Sequence, residues 1–319
     1  IKGPAFVKGI EAAGHRVTVV TGIPNYPTGK VYPGYRVRLF QRERLNGCEV
    51  DRLPLYPIHS TSSSGRALNL LSFWLSALVY GMLRSHRYDL IYVYHPPITV
   101  GLAAALFGWV RRRRFILEIQ DLWPDTLAAS GMTGTSRLAR IIGPICDFVY
   151  RRAQHLIVQS EGMRTLLIER GVPAGKLTVI RNPSDPVALE RPPPIARDKL
   201  GLGDGFVFIY GGNLGAAQAL ESAVRAAKLA RERGGHVELL LIGHGIEAER
   251  LKELAKEIGA DNVHFRPPVP KEEVTAVFQS ADALFMHIAD LPLFQITIPS
   301  KTQFYLASGK PILAGLAGE

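Results

Sequence analysis

Cysteine is almost absent from this sequence: Cys48 and Cys146 are the two thiols in 319 residues. Two thiols cannot build a zinc framework or a disulfide scaffold, and their scarcity suits a reducing compartment. Unbroken apolar runs of membrane-spanning length are lacking too. The longest candidate, Leu68–Leu83, is interrupted by Asn69, Ser72, Ser76 and Gly81, so it reads as a buried or interfacial helix. There is no signal-peptide pattern. The metalloprotease HExxH, the hydrolase GxSxG and the P-loop are missing, and no carboxylate pair suits glycoside hydrolysis. No zinc finger, RNP-like aromatic motif or homeodomain-like helix is present, which argues against nucleic acid as a partner. The chain opens at Ile1 inside a helical pattern and closes at Glu319 just after a strand-like PILAGL, so both ends read as cut.

What is present is globular material. The chain is 47% hydrophobic and 21% charged, enough apolar residues for two cores, and its length suits two domains. The net charge of +10 is unevenly placed. Residues 1–190 hold 24 Lys and Arg against 13 Asp and Glu, whereas residues 191–319 hold 14 against 15. The excess includes the run Arg111–Arg114, close to Trp109. Such a surface attracts anionic lipid, with a merely solvated basic face as the plain alternative.

Periodicity predicts alternating strands and helices. Helices are expected over 5–13, 66–84, 99–110, 137–153 and 161–170, the last capped by Ser160. Strands are expected over 16–20, 90–94, 114–119, 155–159 and 177–180. Residues 183–196 carry five prolines and little periodicity, as a linker would. The pattern then restarts with strands at 206–210, 237–242, 263–265, 283–287 and 311–314. Helices are expected at 217–233, 246–258, 271–280 and 300–308, the last stopped by Gly309. Two βα arrays predict an α/β protein of two doubly wound, Rossmann-like domains facing across a cleft. The expected divisions are 1–185, a linker at 186–196, and 197–319.

In doubly wound sheets ligands sit at the carboxyl ends of strands. Three such ends hold candidates in the second half, and a helix start holds a fourth. Gly212, Asn213 and Gly215 follow a strand and precede a helix, where backbone amides approach an anion. An unliganded tight turn explains them equally well, and the spacing is neither GxGxxG nor a P-loop. Gly243 and Gly245 end the next strand and give a nucleotide room against the backbone. Arg266 ends the strand after that and could flank the base. Ser300 is expected to cap a helix whose first turn carries Lys301. A cation at that end opposes the helix dipole, which makes sense beside a bound diphosphate. In the first half His95 and Asp121 follow buried strands and are the catalytic candidates, with loop or capping roles as the alternatives. No metal site is expected.

These residues carry a resemblance. The stretches GHRVTVVTGIPNYPTGKVYPGY (14–35), EIQDLWPD (118–125), VIRNPSD (179–185), IYGGNLGAAQALE (209–221), LIGHG (241–245) and IPSKTQFYLASGKPIL (298–313) resemble retaining glycosyltransferase family 4, with its GT-B fold. The subgroup is that of bacterial exopolysaccharide, colanic-acid-type and O-antigen enzymes, similar to N-acetylfucosamine transferases. The resemblance implies a hexosyl or N-acetylamino-sugar transferase that needs no cofactor or metal. It implies a nucleotide-diphosphate sugar as donor substrate, UDP-sugar favoured, and a lipid-linked glycan acceptor. It also implies a cytoplasmic enzyme, peripheral on the anionic inner face of the plasma membrane. The family's Glu-x7-Glu pair falls here on Ile296 and Phe304, and its phosphate-binding Arg and Lys fall near Asn213 and Gln218, so Lys301 and backbone amides inherit the diphosphate. A nucleotide-sugar epimerase of the same fold and a non-catalytic partner subunit are the rival readings.

Overall fold

Short apolar runs separated by helical segments become strands buried on both faces, as parallel sheets require. The computed structural model describes residues 2–25, 29–58, 63–95, 97–126 and 135–318. Part of the PNYP segment, from Tyr26 onward, lies outside the described residues. The chain forms two compact units that divide between Ile180 and Arg181, five residues before the expected domain end.

In the first unit, β4 (Ile91–His95), β5 (Phe115–Ile119), β6 (His155–Val158) and β7 (Leu177–Val179) form a parallel sheet in chain order. A second sheet has the order β1 (Thr18–Gly22), β3 (Cys48–Leu53), β2 (Gln41–Leu45), with β1 and β3 parallel. The β2–β3 hairpin turns on Asn46 at φ 51° and Gly47 at φ 88°. That pair of left-handed residues is what a tight hairpin demands, and Asn-Gly supplies it. The sequence reading passed over this hairpin because QRERL is too polar for a core strand; it lies at the sheet edge instead. Ser160 Oγ accepts from Met163 N at 3.1 Å and caps the helix Glu161–Glu169 as expected, a bond worth about 1 kcal/mol.

The helix Ser63–Arg84 packs against the helix Ile98–Arg111 through Gly81, where a Cβ would lie 2.1 Å from Phe107 Cδ1. The stretch Ala67–Arg87, which includes the 3-10 turn that follows this helix, is long and apolar enough to cross a membrane by length and composition, and little of it is buried. Of the two expected readings, buried or interfacial, the wholly buried one is corrected: one face docks while Leu68, Leu71, Leu75, Val79 and Leu83 remain about half exposed. The polar residues Ser72 and Ser76 are used inward, taking Tyr56 N and giving to Pro54 O.

The second unit holds one five-stranded parallel sheet. Its order is β10 (Val263–Arg266), β9 (Val237–Ile242), β8 (Phe206–Gly211), β11 (Ala283–His287), β12 (Ile312–Gly315). The chain winds outward in one direction from β8 and then in the other from β11. The switch point is therefore between β8 and β11, where ligand crevices form in such sheets.

Three expectations change here. The helix expected from 217 begins at Glu221. Before it lies a 3-10 turn, Ala216–Gln218, and Ala219 at φ 45°. Tertiary bonds pull that turn out of α-helical register, since Ala217 O accepts from Ala289 N and Gln218 O meets His287 Nδ1, both at 2.8 Å. The last helix runs Thr302–Ser308, with Lys301 at its N-cap and no side-chain cap bond, so Ser300 does not cap it. The proline-rich segment 186–196 is strapped to the second unit rather than left as a free linker. Ala188 is 0% exposed, Arg191 Nη2 donates to Ala307 O at 2.6 Å, and Ile195 O accepts from Ser280 Oγ at 2.7 Å. Proline removes amides from hydrogen bonding but leaves carbonyls and side chains free to pack.

Candidate functional site

In the second unit the loops after β8 and β9 interlock backbone to backbone. Gly212 N donates to Ile242 O at 2.9 Å, and Leu214 N donates to His244 O at 2.8 Å. A Cβ on Gly243, whose φ is 152°, would stand 1.8 Å from Gly212 O; one on Gly245 would stand 2.2 Å from Leu214 O. Both glycines are thus demanded by loop-to-loop contact, a reason the sequence reading did not give. Gly215 N is taken by Gln218 Oε1 at 3.2 Å, and Asn213 Nδ2 shares the same acceptor at 3.3 Å. The positions of the family's phosphate-binding pair therefore bond to each other and carry no positive charge.

The recess these loops enclose measures about 580 Å³ and includes Asn213, Gly215, Gln218, His244, Gly245 and Ile246 in its lining. It sits at the carboxyl ends of β8 and β9, beside the switch point. Gln218 is one of the positions to which the resemblance pointed; His244 and Ile246 were not foreseen as lining residues. The only available signal was their place after strand ends, which does not tell a side chain facing a recess from one facing solvent. Arg266 does not join them: its guanidinium donates to Leu200 O at 3.1 Å and Lys199 O at 2.6 Å, holding its own domain together. Ser300 is exposed.

Lys301 is the outstanding group. Its Nζ is buried, lacks a hydrogen-bond partner among the described residues, and lies 3.5 Å from the centroid of the Tyr210 ring. The ring face attracts the cation, but it does not replace lost hydration, and burial pulls the amine down to about 7. The amine is at the exposed residue Gly212, where a Cβ would stand 3.1 Å from Nζ. Tyr210 is locked in turn, its hydroxyl donating to Asn213 O at 2.7 Å. Tyr305 OH accepts from Gly211 N at 2.9 Å. Phe304, one of the two positions of the family's acidic pair, packs edge-on against Phe278 at 5.8 Å between ring centroids.

In the first unit His95 ends β4, and its carbonyl accepts from Gln120 N at 3.1 Å. The ring is 0% exposed rather than open as expected, and neither nitrogen has a partner among the described residues. Trp123 stands edge-on at 6.3 Å. Burial holds the imidazole down at about 4, so it is neutral at pH 7. Burial also raises the Asp121 carboxyl above its ordinary range. Glu118 on β5 is buried and receives Tyr92 OH, Gln120 Nε2 and Gln159 Nε2. A buried polar group left without a partner costs about 1–3 kcal/mol. Among the described residues no group of three or more His, Cys, Asp or Glu is placed to hold a metal ion.

Comparison with known proteins bears on both units. Residues 5–183 match the model described as glycosyl transferase 4-like domain, and residues 194–289 match that of glycosyl transferases group 1. WcaI of Escherichia coli K12, which carries the name of a colanic acid biosynthesis glycosyl transferase, is 26% identical over 313 residues, covering 95% of this chain and 76% of that protein. Sucrose-phosphate synthase from Thermosynechococcus elongatus superposes with a TM-score of 0.69 at 21% identity, over 98% of this chain and 74% of that one. Anabaena HepE in complex with UDP does so with a TM-score of 0.58 at 18% identity, over 84% and 68%. The fold is that of the GT-B glycosyltransferases. With the first of these models spanning more than half of its length, the chain belongs to the glycosyl transferase 4-like family and carries a group 1 glycosyl transferase region in its second unit.

Proposed function

We propose that this chain transfers a sugar from a nucleoside-diphosphate donor, UDP-sugar by preference, to a lipid-linked glycan, with retention, in cell-surface polysaccharide synthesis. The observation that carries the reading is Lys301: a buried amine without a hydrogen-bond partner, at a glycine with no side chain, beside the strand-end recess of the group 1 region. Poised near pH 7, it takes up a proton as a diphosphate arrives and then neutralises the charge that grows on the leaving group. That role needs no divalent cation. UDP as the nucleotide rests on HepE, and polysaccharide synthesis on the name of WcaI. In the first unit we assign His95 and Asp121 to the sugar or acceptor side. No side chain is assigned as general base, since the resemblance implies that the leaving phosphate serves.

The acceptor side of the reading includes an anionic membrane on the cytoplasmic face. The half-exposed stripe Leu68, Leu71, Leu75, Val79 and Leu83 follows helical spacing, and the positive charge of the chain is concentrated in the same half.

Calorimetry of UDP, GDP and dTDP with and without a chelator tests the donor, and the anomer of the product by NMR tests retention. Micromolar binding of one nucleotide in chelator, weakened at least tenfold by Lys301→Ala, is the expected result; unchanged affinity in that variant would sink the assignment. One observation favours a non-catalytic partner subunit instead, namely Phe304 in core packing where the family holds an acid. That reading predicts no diphosphate binding at all. Interconversion of a free nucleotide sugar with no acceptor would point to an epimerase. Donors carrying hexose or N-acetylamino sugar, tried in parallel, separate the two transferase types.

A further inference from the structure

The helix Ile98–Arg111 ends on a left-handed residue that is not glycine. Arg112 takes φ 53° and ψ 41°, where an arginine is strained and a glycine would be relaxed. The glycine of this turn, Gly108, is used elsewhere: a Cβ on it would stand 2.9 Å from Arg113 O, and its carbonyl accepts from Arg113 N at 2.9 Å. The turn places Arg112, Arg113 and Arg114 around a recess of about 460 Å³, which Arg151 and Arg152 also line from the end of another helix. Trp109, 60% exposed, lines it too, with the Arg152 guanidinium 6.0 Å from its ring centroid. Arg113 Nη2 reaches His86 O at 3.4 Å, and none of the five arginines has a carboxylate partner among the described residues.

Five like charges around one recess repel each other, and a bound anion relieves that repulsion in proportion to its own charge. A phosphodiester supplies one negative charge; a terminal phosphate or diphosphate supplies more. Guanidinium forks match phosphate oxygens in pairs. Trp109 and its exposed neighbour Val110 add apolar surface beside the recess, which a free ion does not use and an amphiphile does. We propose that this recess binds the terminal phosphate or diphosphate headgroup of a lipid in an anionic bilayer. The proposal rests on the membrane reading above and adds a headgroup preference that a diffuse basic surface would not have.

The test is sedimentation of the full chain with phosphatidylcholine vesicles doped with phosphatidic acid or phosphatidylglycerol to equal surface potential. The expected result is at least tenfold tighter binding to phosphatidic acid. The double variant Arg112→Gln/Arg151→Gln should weaken that binding roughly 30-fold and level the two lipids. Arg231→Gln/Arg233→Gln, in the second unit, should change neither, and unchanged circular dichroism keeps the variants comparable. Equal affinity for both lipids in the unmodified chain overturns the headgroup site and leaves the membrane reading standing. No sedimentation with either overturns both. Calorimetry with soluble pyrophosphate in the Lys301→Met background supplies the other arm: tight binding there that Arg112→Gln/Arg151→Gln abolishes, without vesicle binding, assigns the recess to a soluble phosphate and overturns the lipid.

Discussion

The two parallel sheets end their strands in different ways. In the first unit β4 and β5 run out into side chains, His95 and then Asp121. In the second, β8 and β9 run out into glycines that press backbone on backbone, with one lysine beneath. A site made of side chains can lose one group and keep its shape. A site made of interlocked backbone loses its shape as soon as one Cβ is added. The surfaces differ in the same sense: the first half carries all of the excess positive charge, and the second is close to neutral.

The largest effect should come from Gly243→Ala. Its Cβ would meet Gly212 O at 1.8 Å, at a φ of 152°. A loss of about 4 kcal/mol or more is expected. In a thermal unfolding scan the second unit should melt earlier while the first is unchanged; an unshifted melt would break the contrast.

Lys301→Met comes next and acts in two directions. Below its folded value of about 7 the buried amine is charged at a cost the unfolded chain does not bear. Between pH 7 and 10.5 the unfolded chain holds a proton the folded one lacks, so stability should rise with pH across that window. Replacing the amine with a thioether should stabilise the free protein by roughly 2–5 kcal/mol at pH 7, read from denaturant midpoints. The same change should abolish diphosphate binding. In the unmodified protein, affinity for the diphosphate should fall about tenfold per pH unit above 7, with proton uptake visible in calorimetry.

His95→Gln is smaller. With the folded imidazole at about 4 and the unfolded one at 6.5, stability should rise between those pH values and be lost on acidification. The variant should remove up to about 3 kcal/mol of that slope, checked by urea unfolding at pH 4.5 and 7. The smallest effect belongs to Ser300→Ala. The hydroxyl caps nothing and is exposed, so a change beyond about 0.5 kcal/mol would mean that the sequence-based cap had been right.

Apart from the β2–β3 hairpin, strand and helix order was legible in the sequence, as were the glycine clusters and the uneven charge, because each rests on local chemistry: apolar period, turn propensity and ion count. Ser160 and Gly309, the latter at φ 71°, fell where a cap and a stop were expected for the same reason. The partners of Arg266 were not legible, because a strand-end arginine looks the same whether it faces a ligand or the carbonyls of Lys199 and Leu200. Only the tertiary structure decided that Gly243 and Gly245 serve loop interlock, that His95 is sealed without partners, and that the helix after the glycine loop starts four residues late. It also brought Lys301 under Gly212 and over Tyr210, residues about 90 positions apart in the chain. A lysine's charge state and access depend on what surrounds it, and those neighbours are assembled by the packing of the sheet, which no local window of sequence contains.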